Sequence, residues 1–188
     1  MFFLQHGSWP TEIKELKLIE KVILVNESDK MVGLMEKQEA HVKGFLHRAF
    51  SVFIFNENKD LLLQKRADDK YHSAGLWSNT CCSHPRENET TLFAAKRRLK
   101  EEMGLICKIK KEFDFIYKTK LRNGLFEHEF DHVFFGITNQ KPKINKEEVS
   151  SYRYSSIKEI EKEMIKKPYI FTEWFKICFN EVKYKINI

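Results

Sequence analysis

The chain is 188 residues long, carries 33 Lys+Arg against 27 Asp+Glu for a formal net charge of +6, and is 42% hydrophobic with 16 Phe. That is apolar material for one core of its own and too much for a disordered chain, while 7 Gly and 4 Pro exclude collagen-like and linker-dominated sequences. No apolar run approaches the roughly 20 residues of a bilayer-crossing helix, no basic region marks a signal peptide, and four scattered cysteines make no disulfide framework, so a soluble cytoplasmic protein with reduced thiols is expected.

Residues 1–20 read as an N-terminal extension with a short helix after Pro10, and residues 21–188 as a single domain. Val22–Asn26 reads as a strand followed by a turn over Glu27–Lys30. Ala49–Asn56 and Asp60–Arg66 are apolar, β-rich runs around Asn56–Lys59, which predicts a hairpin. Residues 67–88 show no period and contain Gly75 and Pro85, the pattern of a long functional loop. From Glu89 to Met103 the period becomes helical, with Leu92, Ala95, Leu99 and Met103 on one face, Asn88 as N-cap and Gly104 as the stop. Ile106–Lys118 and Leu125–Ile137 read as strands around the turn Arg122-Asn123-Gly124. Val149–Tyr154 is a further strand, and Ser156–Lys166 and Thr172–Lys185 are helices separated by Pro168. This order predicts an α/β (α+β) fold, a mixed sheet sandwiched between helices.

Chemistry concentrates in a few stretches. In LFEHEFDHVFFGI, residues 125–137, strand alternation puts Glu127, Glu129 and Asp131 on one face and His128, Phe130, His132 and Phe134 on the other. Three like charges in a row suit either a solvated edge strand or a cation site. His41 and His47 stand six apart. In Cys81-Cys82-Ser83-His84, a thiol two residues before an imidazole makes a metal clip, a nucleophile with its base, or neither, and adjacent cysteines cannot both aim at one small target. A C-x-x-C zinc pattern is absent. Scattered imidazoles and carboxylates suit Mn²⁺, Mg²⁺ or Zn²⁺. Seven Lys/Arg and two Glu between Lys96 and Lys111 make a solvated helix face or a seat for an anion.

The helix carries a second pattern. Glu89, Arg97, Leu99, Glu101, Glu102, Gly104 and Leu105 resemble the Nudix box at its spacing, although Ser83 stands where that box opens with Gly and Arg98 replaces its first helix Glu. Ordinary i,i+4 pairing of Arg97 with Glu101 and Arg98 with Glu102 is the alternative, but seven matches at the right spacing argue against coincidence. In Nudix hydrolases the missing Glu helps bind magnesium, so the resemblance with this departure implies a diphosphate bound without being hydrolysed.

Taken together, Leu34-Met35-Glu36-Lys37 with His41, Leu46–Phe50, Gly75–Thr80, Cys82–Pro85, the altered Nudix helix and Glu127-His128-Glu129 resemble the type 1 isopentenyl-diphosphate isomerase family from about Val22 to Trp174. The resemblance implies a Nudix-like fold and interconversion of isopentenyl and dimethylallyl diphosphate. It implies that His41, His47, His84, Glu127 and Glu129 hold a divalent metal (Mn, Zn or Mg), and that Glu102 holds a second Mg²⁺ carried in with the substrate. By the same resemblance Lys37, Arg66, Lys70 and Arg98 surround the diphosphate, and Cys82 is the catalytic cysteine. Moving an unactivated double bond through a tertiary carbocation needs a proton donor and a proton acceptor on opposite faces. Cys82 and Glu129 are suited to be that pair, with the order of action open; Tyr117 is expected to hydrogen-bond on the Glu129 side and Trp174 to offer its π face to the cation. The extension and the helix around Phe171, Trp174 and Phe175 are candidates for closing the site against water. The expected partner is a small prenyl diphosphate, with no nucleic acid and no membrane; no pattern sets an oligomeric state, and a monomer is the default. A Nudix hydrolase, disfavoured by Arg98, and a basic nucleic-acid module, lacking any recognised motif, are the competing classes.

Overall fold

The computed structural model describes residues 20–186, so the extension before Glu20 and its helix after Pro10 lie outside the described residues. Nine strands share one mixed sheet: β1 (Lys21–Val25), β2 (Met31–Glu36), β3 (His47–Phe55), β4 (Leu61–Arg66), β5 (Trp77–Ser78), β6 (Cys81–Ser83), β7 (Ile109–Lys120), β8 (Phe126–Ile137) and β9 (Val149–Ser155). Four α-helices accompany them: α1 (Lys37–Lys43), α2 (Thr91–Met103), α3 (Ile157–Lys166) and α4 (Glu173–Lys185), with a 3₁₀ turn at Pro168–Ile170. Among the described residues no helix is long and apolar enough to cross a membrane.

β3 organises the sheet. One edge runs parallel to β8 along its whole length, from His47↔Glu129 to Phe55↔Ile137. Its other edge is shared by β1 at His47, β6 at Phe50–Val52 and β4 at Phe55. A strand covered on both faces must be apolar almost throughout, which is why HRAFSVFIF alternates so little. Phe53 and Phe55 pack with Val133, Phe135, Phe175 and Phe179 beneath α4, whereas Phe50, Val52 and Ile54 pack with Ala94, Ala95 and Leu99 of α2. The sheet therefore lies between α2 on one side and α3–α4 on the other, as the sequence order predicts.

Several boundaries differ from expectation for local reasons. β2 and α1 were not expected: MVGLME has an exposed face and a mid-strand Gly, and KQEAHVK is too short to show a period. β3 begins at His47 rather than Ala49, so this histidine sits on the strand. Residues 67–88 are not one loop, since β5 and β6 interrupt them. α2 is capped by Thr90, whose hydroxyl accepts from Phe93 N–H at 3.3 Å, and not by Asn88, which takes φ +63° in the preceding turn. Leu92 is exposed and Ala94 takes its place in the core. Gly104 ends α2 at φ +66°, and a Cβ there would lie 2.6 Å from Lys143 O, so only glycine fits. α3 starts with a reciprocal Ser156–Glu159 capping box.

Candidate active site

β8 is flanked by β3 and β7, which rules out a solvated edge strand as the setting of its carboxylates. Glu127, Glu129 and Asp131 point to the α4 side and are 3%, 9% and 1% exposed. Such burial is tolerable for charged groups only with partners of opposite charge or a cation. His47 is level with Glu129 on the adjacent strand. α1 brings in His41, and the segment after β6 brings in His84. The nitrogens of these three histidines and a Glu129 oxygen lie within 4.8 Å of one another, and His41, His72 and Glu127 form a second such group.

Hydrogen bonds set the donor atoms. His41 Nδ1 lies 2.6 Å from Lys37 O and His47 Nδ1 2.8 Å from Phe45 O. A carbonyl can only accept, so each Nδ1 carries a hydrogen and each ring turns its Nε2 inward. His47 Nε2 and His84 Nε2 are 3.2 Å apart, and His84 Nε2 is 3.1 Å from Glu129 Oε1. His41 Nε2 and Glu127 Oε2 approach to 3.2 Å, yet both are buried with no hydrogen bond. Converging, orphaned nitrogen and oxygen donors are the geometry a divalent cation resolves, and the mixed imidazole–carboxylate set fits one. Behind them Tyr117 O–H donates to Glu129 Oε2 at 2.6 Å. Burial opposes Glu129's charge, but the neighbouring His47 and His84 rings hold its carboxyl well below the usual range. Burial and the neighbouring Glu129 push Glu127 up, and burial takes His84 down to about 3.

A cavity of about 690 Å³ opens over this group. Cys82, His41, His84, Glu127, Glu129 and Trp174 line it, whereas His47 and Tyr117 do not. Strand alternation separates the two adjacent thiols. Cys81 packs in the α2 core, and Cys82 packs on the α4 side and reaches the cavity. Asn79 Nδ2 donates to Val52 O (3.3 Å) and Cys81 O (2.8 Å), and Thr80 Oγ1 donates to Leu62 O (2.6 Å) while accepting from Ile54 N–H (2.9 Å). Burial pushes the Cys82 thiol up to about 12, with Arg66 offsetting only part of the shift, so at neutral pH it holds its proton. Trp174 spends its indole N–H on Ser78 Oγ at 2.9 Å, and the Arg66 guanidinium lies 5.2 Å from its ring.

The rest of the lining is mixed in charge, with lysines and arginines outnumbering glutamates. Lys37, Arg66, Lys70 and Arg98 all line the cavity, as does Glu102. Arg98 donates to Glu102 Oε1 at 2.8 Å and pairs with Glu148 at 3.1 Å, while Lys70 also reaches Glu148. Gln64 Nε2 holds the other Glu102 oxygen at 3.0 Å. Burial dominates Glu102 and raises it despite Arg98. Both i,i+4 pairs exist, but Arg98 faces the cavity rather than solvent, so the basic run is only partly a solvated face. His72, Tyr71, Gln64 and Glu148 also line the site or its edge and were not singled out in the sequence. The first two lie in the aperiodic 67–76 segment, and the other two show no pattern until β4 and the residues before β9 meet α2.

Comparison with known proteins agrees with this geometry. The NUDIX domain profile matches residues 45–175. The chain is 57% identical over 164 residues to the isopentenyl-diphosphate Delta-isomerase of Pectobacterium atrosepticum, covering 87% of this chain and 92% of that one. It is 49% identical to isopentenyl-diphosphate Delta-isomerase 2 of Aromatoleum aromaticum, covering 87% and 86%. Among solved structures, a Deinococcus radiodurans protein superposes with TM-score 0.66 at 17% identity over 79% of this chain and 90% of that one. The MutT protein of Methanosarcina mazei follows at 0.61 and 18%, covering 76% and 96%. These two likenesses concern the fold.

Proposed function

The chain belongs to the NUDIX family and, within it, to the isopentenyl-diphosphate Delta-isomerases, and from that premise we propose that it interconverts isopentenyl and dimethylallyl diphosphate with Cys82 and Glu129 as the proton-transfer pair. The observation that carries this reading is that Cys82 and Glu129 share one cavity while Cys81, one residue away, is turned into the α2 core. Cys82 keeps a proton to give, and Glu129 is held as a carboxylate able to take one. Protonating the terminal carbon from one side leaves a tertiary cation, and removing a proton from C2 on the other side completes the shift. Reversal needs only that the two groups exchange roles.

Other side chains hold this pair in place. Tyr117 fixes one oxygen of Glu129, leaving the other toward His84 and the cavity. Trp174, its N–H already bonded, offers a ring face beside which positive charge is stabilised. Lys37, Arg66, Lys70 and Arg98 would grip the diphosphate, converting binding energy into orientation of the reacting end. The ion that would be held by His41, His47, His84, Glu127 and Glu129, with Mn²⁺, Zn²⁺ or Mg²⁺ all suited to the donors, supplies positive charge that lets two carboxylates sit together. Glu102, on the diphosphate side, would take a Mg²⁺ brought by the substrate. Arg98, where a Nudix hydrolase keeps a metal-binding Glu, favours binding over hydrolysis. We further read a cytoplasmic enzyme that works as a single chain on a small prenyl diphosphate, with neither nucleic acid nor membrane as partner; its unpaired thiols suit a reducing compartment.

The test is proton NMR of isopentenyl diphosphate incubated with the protein and Mg²⁺ in D₂O. Growth of dimethylallyl signals with deuterium in the new methyl group is expected. Release of phosphate instead would assign the chain to hydrolysis.

A further inference from the structure

The segment joining β4 to β5 contributes Lys70, Tyr71 and His72 to the cavity wall. It is tied down by Ala67 N–H to Glu148 O, Arg66 N–H to Leu76 O and Asn123 Nδ2 to Tyr71 O. At its centre His72 touches three parts of the site at once. Its ring stands edge-on to Trp174, centroids 5.7 Å apart at 82°. Its carbonyl accepts from Arg66 Nη2 at 3.2 Å. Its Nε2 lies 3.7 Å from Glu127 Oε1.

Glu127 thus divides its two oxygens. Oε2 faces His41 Nε2 at 3.2 Å without a hydrogen bond, the posture of a pair waiting for an ion. Oε1 is the oxygen that approaches His72 Nε2, at 3.7 Å. Because His41 Nδ1 is committed to Lys37 O, its Nε2 can serve one ion only, so the His41–His72–Glu127 group and the His41–His47–His84–Glu129 group do not make two independent sites. Ser73 Oγ, 3.4 Å from His72 Nδ1, can donate there and leave the ring hydrogen on Nε2, directed at Glu127. At 3.7 Å the contact is longer than a hydrogen bond, but a polar partner placed behind a metal-bound carboxylate in this way sets its orientation.

We propose that His72 is a positioning residue of the metal centre, holding the outer oxygen of Glu127 so that the inner oxygen is presented to the ion, and coupling that carboxylate to Trp174 and Arg66 through its ring and carbonyl. The inference rests on the metal reading above. It also links the two ends of the substrate site, since one loop residue braces the metal group and a diphosphate-binding arginine.

The test is Co²⁺ binding to metal-free protein, followed by d–d absorption and chelator competition, for the wild type, His72→Phe and His72→Gln. Phe keeps the ring against Trp174 and removes the donor, whereas Gln keeps a donor. A 10- to 100-fold loss of affinity is expected for His72→Phe, with unchanged band positions, and recovery to within about threefold for His72→Gln. Equal affinity in His72→Phe and wild type would overturn the inference. A shifted band pattern would also overturn it, making His72 a direct ligand. Wild-type protein that takes up no Co²⁺ would remove the metal reading itself, a result distinct from either. Should His72→Phe not fold, His72→Ala measured with and without added imidazole gives the same contrast: restored affinity supports positioning, and no change in affinity on substitution refutes it.

Discussion

Tyr117→Phe isolates a single bond in the proposed machinery. The Tyr117 ring is buried and stacked on Phe115, centroids 5.5 Å apart at 25°, so Phe fills the same space and the packing beneath α4 is retained. What disappears is one hydroxyl donating to Glu129 Oε2 at 2.6 Å. A hydrogen bond to an ionised acceptor contributes about 1.5–3 kcal/mol, and its removal leaves a buried carboxylate oxygen without that donor. If the full amount is expressed between ground and transition state, kcat falls about 10- to 150-fold. KM for isopentenyl diphosphate stays within about threefold, because Lys37, Arg66, Lys70 and Arg98 are untouched and binding uniform to both states is unaltered. Steady-state kinetics gives both parameters, and thermal unfolding gives the structural control. For a chain of this size a ground-state loss moves Tm by about 2–4 °C per kcal/mol. A kcat within twofold of wild type would refute the assignment of Tyr117 to Glu129's side of the reaction. A raised KM with normal kcat would move Tyr117 into substrate binding instead.

Cys82→Ala should abolish turnover, whereas Cys81→Ala should retain most of it and lose about 1 kcal/mol of stability from a small void in the α2 core; the opposite pattern in the same assay means the other thiol does the chemistry. Glu102→Gln should weaken Mg²⁺-dependent substrate binding while metal analysis still finds the ion at the His/Glu group, and loss of that ion would show that the two sites are not separate. Because burial raises the Cys82 thiol from 9.0 to about 12, its thiolate is scarce at pH 8. Iodoacetamide labelling of Cys82 in metal-free protein, mapped by mass spectrometry, should run two to three orders of magnitude slower than that of an ordinary thiol of pKa about 9 and keep rising beyond pH 9 instead of levelling off. A plateau near pH 9 contradicts the burial argument.

The alternation of Glu127, Glu129 and Asp131 was legible because a strand has only two faces. Which face is buried was not, since that depends on β3 and β7 closing both sides of β8. The Nudix-like spacing on α2 was visible as a one-dimensional pattern, and Gly104 as a stop, because helix termination is local. By contrast, Glu148 acquires its place only when the residues before β9 come alongside Arg98 and Lys70. His72 lies in a segment whose path is set by contacts with distant residues such as Asn123 and Glu148, so no period or cap announces it. The resemblance singled out Cys82, but the physical difference between Cys81 and Cys82 lies in the register of β6, which is three residues long and carries almost no signal of its own.

That register has a consequence for how the chain can change. Sliding β6 by one residue against β3 would exchange the two thiols between faces, turning Cys81 toward the cavity and Cys82, the proposed proton-transfer group, into the core. Insertion or deletion of one residue between Trp77 and Cys81 is therefore equivalent to a double substitution at the centre of the reaction. Asn79 and Thr80, wholly buried and hydrogen-bonded to Val52, Ile54 and Leu62, act as an index pin against that slip. Their polar side chains, bonded to backbone, decide which of two identical neighbours faces the cavity.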